Sequence, residues 1–336
     1  MIKGDGYGHG AVEVARTLAE AGAKQFAVAS AEEASTLRTA GIAEDLIILC
    51  GLQPTEETDA AALGLIPMVQ TPGQLARWSK QVESSAETLP YHLEIDSGMT
   101  RLGFDADRPA EIAAAIKAAE GLRLAGLATH FASAQDFTTP QTEQQLEMFR
   151  AASKALAAEG IRPPLIHMAN SAALAYRPDL TADMVRPGLA LYGYISPPHG
   201  KAPAPRLEVR PVLEWCASIL SVRDVRAGAR LGYDGTYRAS EPMRVGVVSV
   251  GYGDGLDRRL SNGGEVLVNR WRCPIVGLVS MDVTLIDLRP APEAAPGDEV
   301  TLIGDGLDAQ SMADHCGTIA YEILCRISPR VSRAYV

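Results

Sequence analysis

Lys3 is followed at once by Gly-Asp-Gly-Tyr-Gly-His-Gly over residues 4–10. Glycine at every other position lets the backbone turn tightly and approach a ligand closely. A lysine fixed at such a turn is placed for covalent work, such as a Schiff base with a carbonyl cofactor. A lone lysine is more often solvated than reactive, so the weight falls on what recurs downstream. Asp96-Ser-Gly-Met-Thr-Arg-Leu-Gly103 sets Arg101 in a glycine-bearing loop, and Arg186-Pro-Gly188 sets a second arginine beside a glycine. His130 and the string His167-Met-Ala-Asn-Ser171 add imidazoles and a hydroxyl whose neighbouring amides suit a phosphate. Two arginines, a serine with glycine amides and a lysine together suit an anionic, phosphorylated cofactor bound covalently.

The elements that must hold these groups are read from periodicity. Residues 11–21 carry Val12, Ala15, Leu18 and Ala19 on one helical face. Short apolar runs follow at 26–29, 46–50, 66–69, 91–95, 124–129 and 165–168, with a weaker one at 184–185. Helical patterns fit between them, clearest at 110–119 and 141–158, and such alternation predicts βαβ units with a parallel sheet. Met1-Ile2-Lys3 reads as the tail of one further strand. Eight strands predict an α/β fold of the (β/α)8 TIM-barrel type, whose chemistry lies at the carboxyl ends of the strands. Lys3, residues 96–101, His130, residues 167–171 and Arg186 all fall at such ends.

The texture changes at residues 196–205, a Pro-rich stretch that reads as a linker. Beyond it, apolar runs at 212–222, 245–250, 265–268, 274–279, 283–288 and 299–303 predict a mostly-β carboxyl-terminal domain, with one helix at 308–316. The expected boundaries are 1–204 for the barrel and 205–336 for the second domain. A formal net charge of −10 over 336 residues points away from nucleic acid and from an anionic membrane as partners. Five cysteines without Cys-x-x-Cys spacing predict reduced thiols and a cytoplasmic protein, and no metal site is expected.

In order from Lys3 to the last residues, these strings resemble alanine racemase, a family of fold-type III pyridoxal-phosphate enzymes. The resemblance implies that Lys3 forms an aldimine with pyridoxal 5'-phosphate. It implies that Tyr7, Ser171, the amides of Gly188 and Leu189, and Tyr321 contact the phosphate. Arg186 would face the pyridine nitrogen with His167 near it, and Arg101 would lie by the phenolic oxygen and the substrate carboxylate. His130 would hydrogen-bond the catalytic tyrosine. In the second domain Gly232-Tyr-Asp-Gly-Thr-Tyr237 matches Tyr233 to that second acid/base, and Gly251-Tyr-Gly-Asp-Gly255 matches Tyr252 to an entrance tyrosine. Ser280-Met-Asp282 matches Met281 to the substrate carboxylate and Asp282 to the entrance. In the family these second-domain groups come from a partner subunit, which implies a homodimer with shared active sites. Lys3 and Tyr233 would then be the two bases of an isomerase that interconverts L- and D-alanine, supplying D-alanine for peptidoglycan. A broader amino-acid racemase and a non-catalytic pyridoxal-phosphate-binding protein are the alternatives.

Two departures from the family pattern stand out. Glu94 occupies the position where many relatives carry a lysine modified to a carbamate, and it is expected to replace that anion and brace Arg101. The family also carries a longer segment before the lysine, so the barrel is expected to lack most of its first strand.

Overall fold

In the computed structural model, which describes residues 1–84 and 88–336, the apolar runs of the first unit fold as a parallel sheet. Strands β1 (Gln25–Val28), β2 (Asp45–Ile48), β3 (Leu65–Val69), β4 (Leu89–Asp96), β6 (Leu122–Ala128) and β7 (Leu165–His167) pair in that order. A short β5 (Phe104–Asp105) adds two rungs to β4. The run at 184–185 gives less than a strand. Met184 makes one isolated parallel bridge to His167, and Pro187 soon after has no N–H to continue a ladder.

Side chains alternate across this sheet with period two. Phe26, Val28, Leu46, Ile48, Leu65, Val69, Tyr91 and Leu93 belong to the large core cluster, which also takes in helix residues. Ala27, Ile47, Ile66, Met68 and Ala128 form a separate, inner cluster, with Met1, Leu49 and Met184 packed against it. On β4 the alternate positions that share the inner phase carry His92 and Glu94, so part of the interior is polar.

The expected strand tail at Met1-Ile2-Lys3 is not a ladder. The Ile2 amide donates to Ala27 O at 3.0 Å and the Met1 amino group to Pro187 O at 3.1 Å, which seats these residues between β1 and the segment after Met184. An apolar cavity of about 210 Å³ lies beside them, lined by Ala27, Ile47, Met68 and Met184 as well as Leu18 and Leu191. From Gly4 the backbone winds with the opposite hand to an ordinary helix: Gly4, Asp5 and Gly6 have φ/ψ of 62/45, 52/48 and 61/42, and Tyr7 has φ 54. Each L residue in that conformation costs about 1–2 kcal/mol, and alternate glycines confine the cost to Asp5 and Tyr7. Asp5 recovers part of it, since its carboxylate accepts from the Ala11 amide at 2.8 Å and its carbonyl from Gly10 at 2.9 Å.

The second unit comprises residues 7–9, 192–194 and 210–336. Its strands are β8 (Trp215–Val225), β9 (Arg230–Leu231), β10 (Tyr237–Arg238), β11 (Met243–Val248), β12 (Glu265–Val268), β13 (Trp271–Pro274), β14 (Thr284–Asp287) and β15 (Glu299–Ile303). Six of them form an antiparallel sheet in the order β13-β12-β15-β8-β11-β14, and β9 pairs with β10. Of the strand expected at 274–279, Pro274 closes β13 and Ile275 makes one isolated bridge, to Ile286, before Gly277 at φ 80 turns the chain out of the ladder. The helix Ala309–Cys316 is present, capped by the Asp308 carboxylate on the Ser311 amide at 2.8 Å, and a further helix, Ala320–Cys325, carries Tyr321.

Residues 196–205, expected as a linker, are instead tied to the first unit. His199 accepts from the Phe137 amide at 2.9 Å and donates to Gln135 O at 3.0 Å. Proline and glycine there break regular structure without releasing the chain. Among the described residues no helix is long and apolar enough to cross a membrane.

Candidate active site

Arg186 is densely hydrogen-bonded within the first unit. Its Nη1 donates to His167 Nδ1 and to His167 O, both at 2.7 Å. Its Nη2 donates to Thr129 O at 2.7 Å, to His130 Nδ1 at 3.2 Å and to Met168 O at 3.3 Å. Every one of these acceptors is uncharged. Burial draws the guanidinium down to about 10, with the Glu94 carboxylate opposing, so the charge persists at neutral pH. The carbonyls of Thr129 and His167, at the ends of β6 and β7, both accept from Arg186.

That buried cation fixes the state of the imidazoles around it. Burial, then the positive charges of Arg186, Arg101 and Lys3, pushes His130 down to about 3. Burial and Arg186 hold His167 well below the usual histidine range. Both rings are therefore neutral near pH 7, and three cations bear on one small region. His167 Nε2 lies 2.7 Å from Nδ1 of His92, a fully buried ring drawn down to about 4 by burial and then by Arg186.

Glu94 is buried on β4, and its carboxylate accepts from Gln70 Nε2 at 3.2 Å. Burial raises its pKa, while Gln70, Arg186 and Arg101 oppose the rise. Among the described residues no hydrogen bond joins Glu94 to Arg101; the Arg101 charge acts on Glu94, and both line one small pocket with His130. Asp96 Oδ1 accepts from the amides of Gly98 at 2.9 Å and Thr100 at 3.0 Å, closing a tight turn. Gly103 returns so closely that a Cβ would lie 2.5 Å from the Asp96 nitrogen. This loop leaves Arg101 exposed, while Glu94 is buried.

Ser171 opens the helix Ser171–Tyr176, and its buried hydroxyl accepts from the amides of Gly188 at 2.8 Å and Ala190 at 3.2 Å, the two that flank Leu189. Those two amides are taken up by the hydroxyl, whose own O–H is left as a donor for a phosphate oxygen beside the helix start. Lys3 begins the left-handed turn and is half-buried, and its amine makes no hydrogen bond or ion pair among the described residues.

In the second unit Tyr7 is buried, stacked on Tyr192 at 4.8 Å between ring centroids and 5.8 Å from Tyr321. Burial, then Tyr321, raises the pKa of its phenol well above the ordinary range. Gly8 beside it touches the chain so closely that a Cβ would lie 2.1 Å from Leu324 O. Tyr233, Tyr252 and Met281 are 69%, 45% and 52% exposed. The loops of the last two are joined, since Tyr252 and Gly253 donate to Ser280 O and Met281 O at 2.9 Å each. Arg330 ties Asp254 and Asp282 together at 2.7 and 2.9 Å.

His92 and Gln70 were not singled out from the sequence. A signal existed for the first: His92-Leu-Glu94 places two polar residues at alternate positions of an otherwise apolar strand, as a polar inner face requires.

Two sequence profiles match the chain, "Alanine racemase, N-terminal domain" over residues 1–197 and "Alanine racemase, C-terminal domain" over residues 212–335. The alanine racemase of Carboxydothermus hydrogenoformans is 39% identical over 341 residues, which cover 100% of this chain and 92% of that one. The crystal structure of alanine racemase from Bartonella henselae with covalently bound pyridoxal phosphate superposes with a TM-score of 0.88 at 30% identity, over 100% of this chain and 91% of that one. The alanine racemase from D-cycloserine-producing Streptomyces lavendulae gives 0.92 at 32% identity, over 100% and 89%.

Proposed function

The chain belongs to the alanine racemase family, and from that premise we propose how its residues interconvert L- and D-alanine. Pyridoxal 5'-phosphate is the cofactor. The donor set of the first unit fits it. Lys3 offers an amine for the aldehyde, Ser171 with the amides of Gly188 and Leu189 offers a phosphate cradle, and Arg186 offers a cation for the ring nitrogen. When bound, the cofactor supplies an electron sink that makes the α-proton of the substrate removable.

The residues divide the remaining work. Lys3 holds the cofactor at rest, and its freed amine moves the α-proton on one face of the substrate. The Tyr233 phenol moves the proton on the other face, acting on the site of a second copy of the chain. Two bases on opposite faces are what inversion requires. Arg186 cannot give up its proton at neutral pH, so it keeps the ring nitrogen unprotonated and restrains the electron sink. Arg101, exposed and without an ion pair among the described residues, takes the substrate carboxylate with Met281. His130 stays neutral and, with its Nδ1 accepting from Arg186, donates its Nε2–H to the oxygen of the catalytic phenol. Tyr7 and Tyr321 are further phosphate ligands, and Tyr252 and Asp282 line the entrance.

A homodimer with shared sites is part of this reading. Tyr233, Tyr252 and Met281 are exposed on one unit, and tyrosine and methionine are residue types that interfaces favour. Free cysteines throughout agree with a cytoplasmic enzyme that delivers D-alanine to peptidoglycan. One observation carries the reading: the unit that holds Lys3 also holds Ser171 gripped by the Gly188 and Ala190 amides and Arg186 fixed on the His167 and His130 rings. The test is visible absorbance before and after borohydride, paired with racemisation of alanine in heavy water. The expected result is a band that borohydride bleaches, with deuterium entering the α-position of both enantiomers. Cofactor binding without exchange would leave only a carrier.

A further inference from the structure

The imidazoles behind Arg186 form a chain with a direction. An arginine only donates, so at 2.7 Å His167 Nδ1 accepts from it. Being neutral, His167 carries its one proton on Nε2 and donates it to His92 Nδ1. His92 then carries its own proton on Nε2, which is buried and meets no acceptor among the described residues. A buried donor left unpaired is unfavourable, yet the fold makes room for this ring. On β6, Gly126 stands in register with His92, and a Cβ there would lie 2.4 Å from His92 Nδ1. Space cut by a glycine and a fully buried ring are two separate observations that converge on one side chain.

We propose that His92 is a positioning residue: by accepting from His167 it fixes the tautomer of that ring, and through it the seat of Arg186. The proposal deepens the racemase reading and rests on Arg186 as the partner of the cofactor's ring nitrogen. Without the His92 acceptor, the Nε2 proton of His167 is buried unpaired. The other tautomer would set an N–H against the Arg186 N–H. Either outcome loosens the guanidinium, whose remaining bonds are to carbonyls and His130.

The test follows ring nitrogens by NMR in the full chain labelled with 15N-histidine, with the dissociation constant of pyridoxal phosphate as a second measurement. In the parent protein His167 should hold a single tautomer, protonated at Nε2. In His92→Leu that signature becomes mixed or reverses, and cofactor affinity falls about tenfold, as expected on losing a group that orients a ligand. His92→Asn, whose Oδ1 replaces the Nδ1 acceptor, restores the tautomer and brings affinity back to within about threefold. Gly126→Ala, which pushes the ring aside, reproduces His92→Leu and serves in its place if the leucine variant does not fold. An unchanged His167 tautomer in His92→Leu or Gly126→Ala overturns the proposal, as does an asparagine variant as impaired as leucine. A parent chain that shows the single tautomer but never racemises alanine would count against the racemase reading and leave the His92 result standing.

Discussion

Arg186 in the first unit is 8% exposed and donates to five acceptors, whereas Tyr233 in the second is 69% exposed and sits on a three-residue turn. In the proposed mechanism both serve one reaction. A charge that must stay fixed is immobilised by backbone carbonyls and neutral rings, which the end of a parallel sheet supplies in quantity. A base that must reach another copy of the chain has to stand on the surface, and there its own fold gives it little support. The same contrast separates Ser171, whose hydroxyl is already gripped by two amides, from Met281 on its exposed loop.

The sharpest way to break this comparison is at Lys3. Lys3→Ala should lower racemisation by at least ~10³-fold, because the covalent anchor and one base disappear together. The borohydride-sensitive band should go with it while circular dichroism stays the same. Tyr233→Phe should cost about 10²–10⁴-fold, and selectively, since deuterium exchange into L-alanine stops while exchange into D-alanine through Lys3 continues. The two dead variants, unfolded and refolded together, should regain up to about a quarter of the parent activity, because half of each hybrid's sites are intact. No recovery would mean that Tyr233 serves its own chain, and the surface half of the comparison would fall.

Acid tests the buried half. Unfolded histidines titrate near 6.5, while His92 and His130 do so at about 4 and about 3. Between those values the unfolded chain takes up protons that the folded chain refuses. Stability is thus complete above pH 6.5 and declines as the pH drops, by about 1.4 kcal/mol per unit for each imidazole. Urea midpoints at pH 7, 6 and 5 measure it, and a flat series would mean the rings are solvated. The smallest effect is expected at Glu94. Glu94→Gln keeps the shape beside Gln70 and removes one opposing charge from Arg186, so kcat should change by no more than about threefold. Added bicarbonate should do nothing, since a carboxylate already stands there.

The pattern of apolar runs was enough to place six of the parallel strands and the Arg101, His130 and Ser171 groups near their ends, while the run before Arg186 gave only a single bridge. Alternating strands and helices leave a strong periodic trace, and a strand end is a short step from its loop. Less visible was whatever depends on register between strands. His92 faces Gly126 and His167 only because β4, β6 and β7 align as they do, with a slip at Tyr91 and His92 that no local pattern announces. The geometry between Glu94 and Arg101 was hidden for a similar reason: seven residues apart in sequence, they are joined by a turn that brings a buried and an exposed side chain to one small pocket. Residues 274–279 were apolar enough for a strand, yet a single left-handed glycine ended the ladder.

The turn after Lys3 has a consequence for stereochemistry. At Gly4 the backbone adopts angles that are strained for an L residue and relaxed for its mirror image, and the position faces solvent. L-alanine placed there by mutation would oppose the turn, whereas D-alanine placed there by chemical ligation would support it and cut the freedom of the unfolded chain. The enantiomer that this family makes from L-alanine is the one its own lysine loop would accept as a building block.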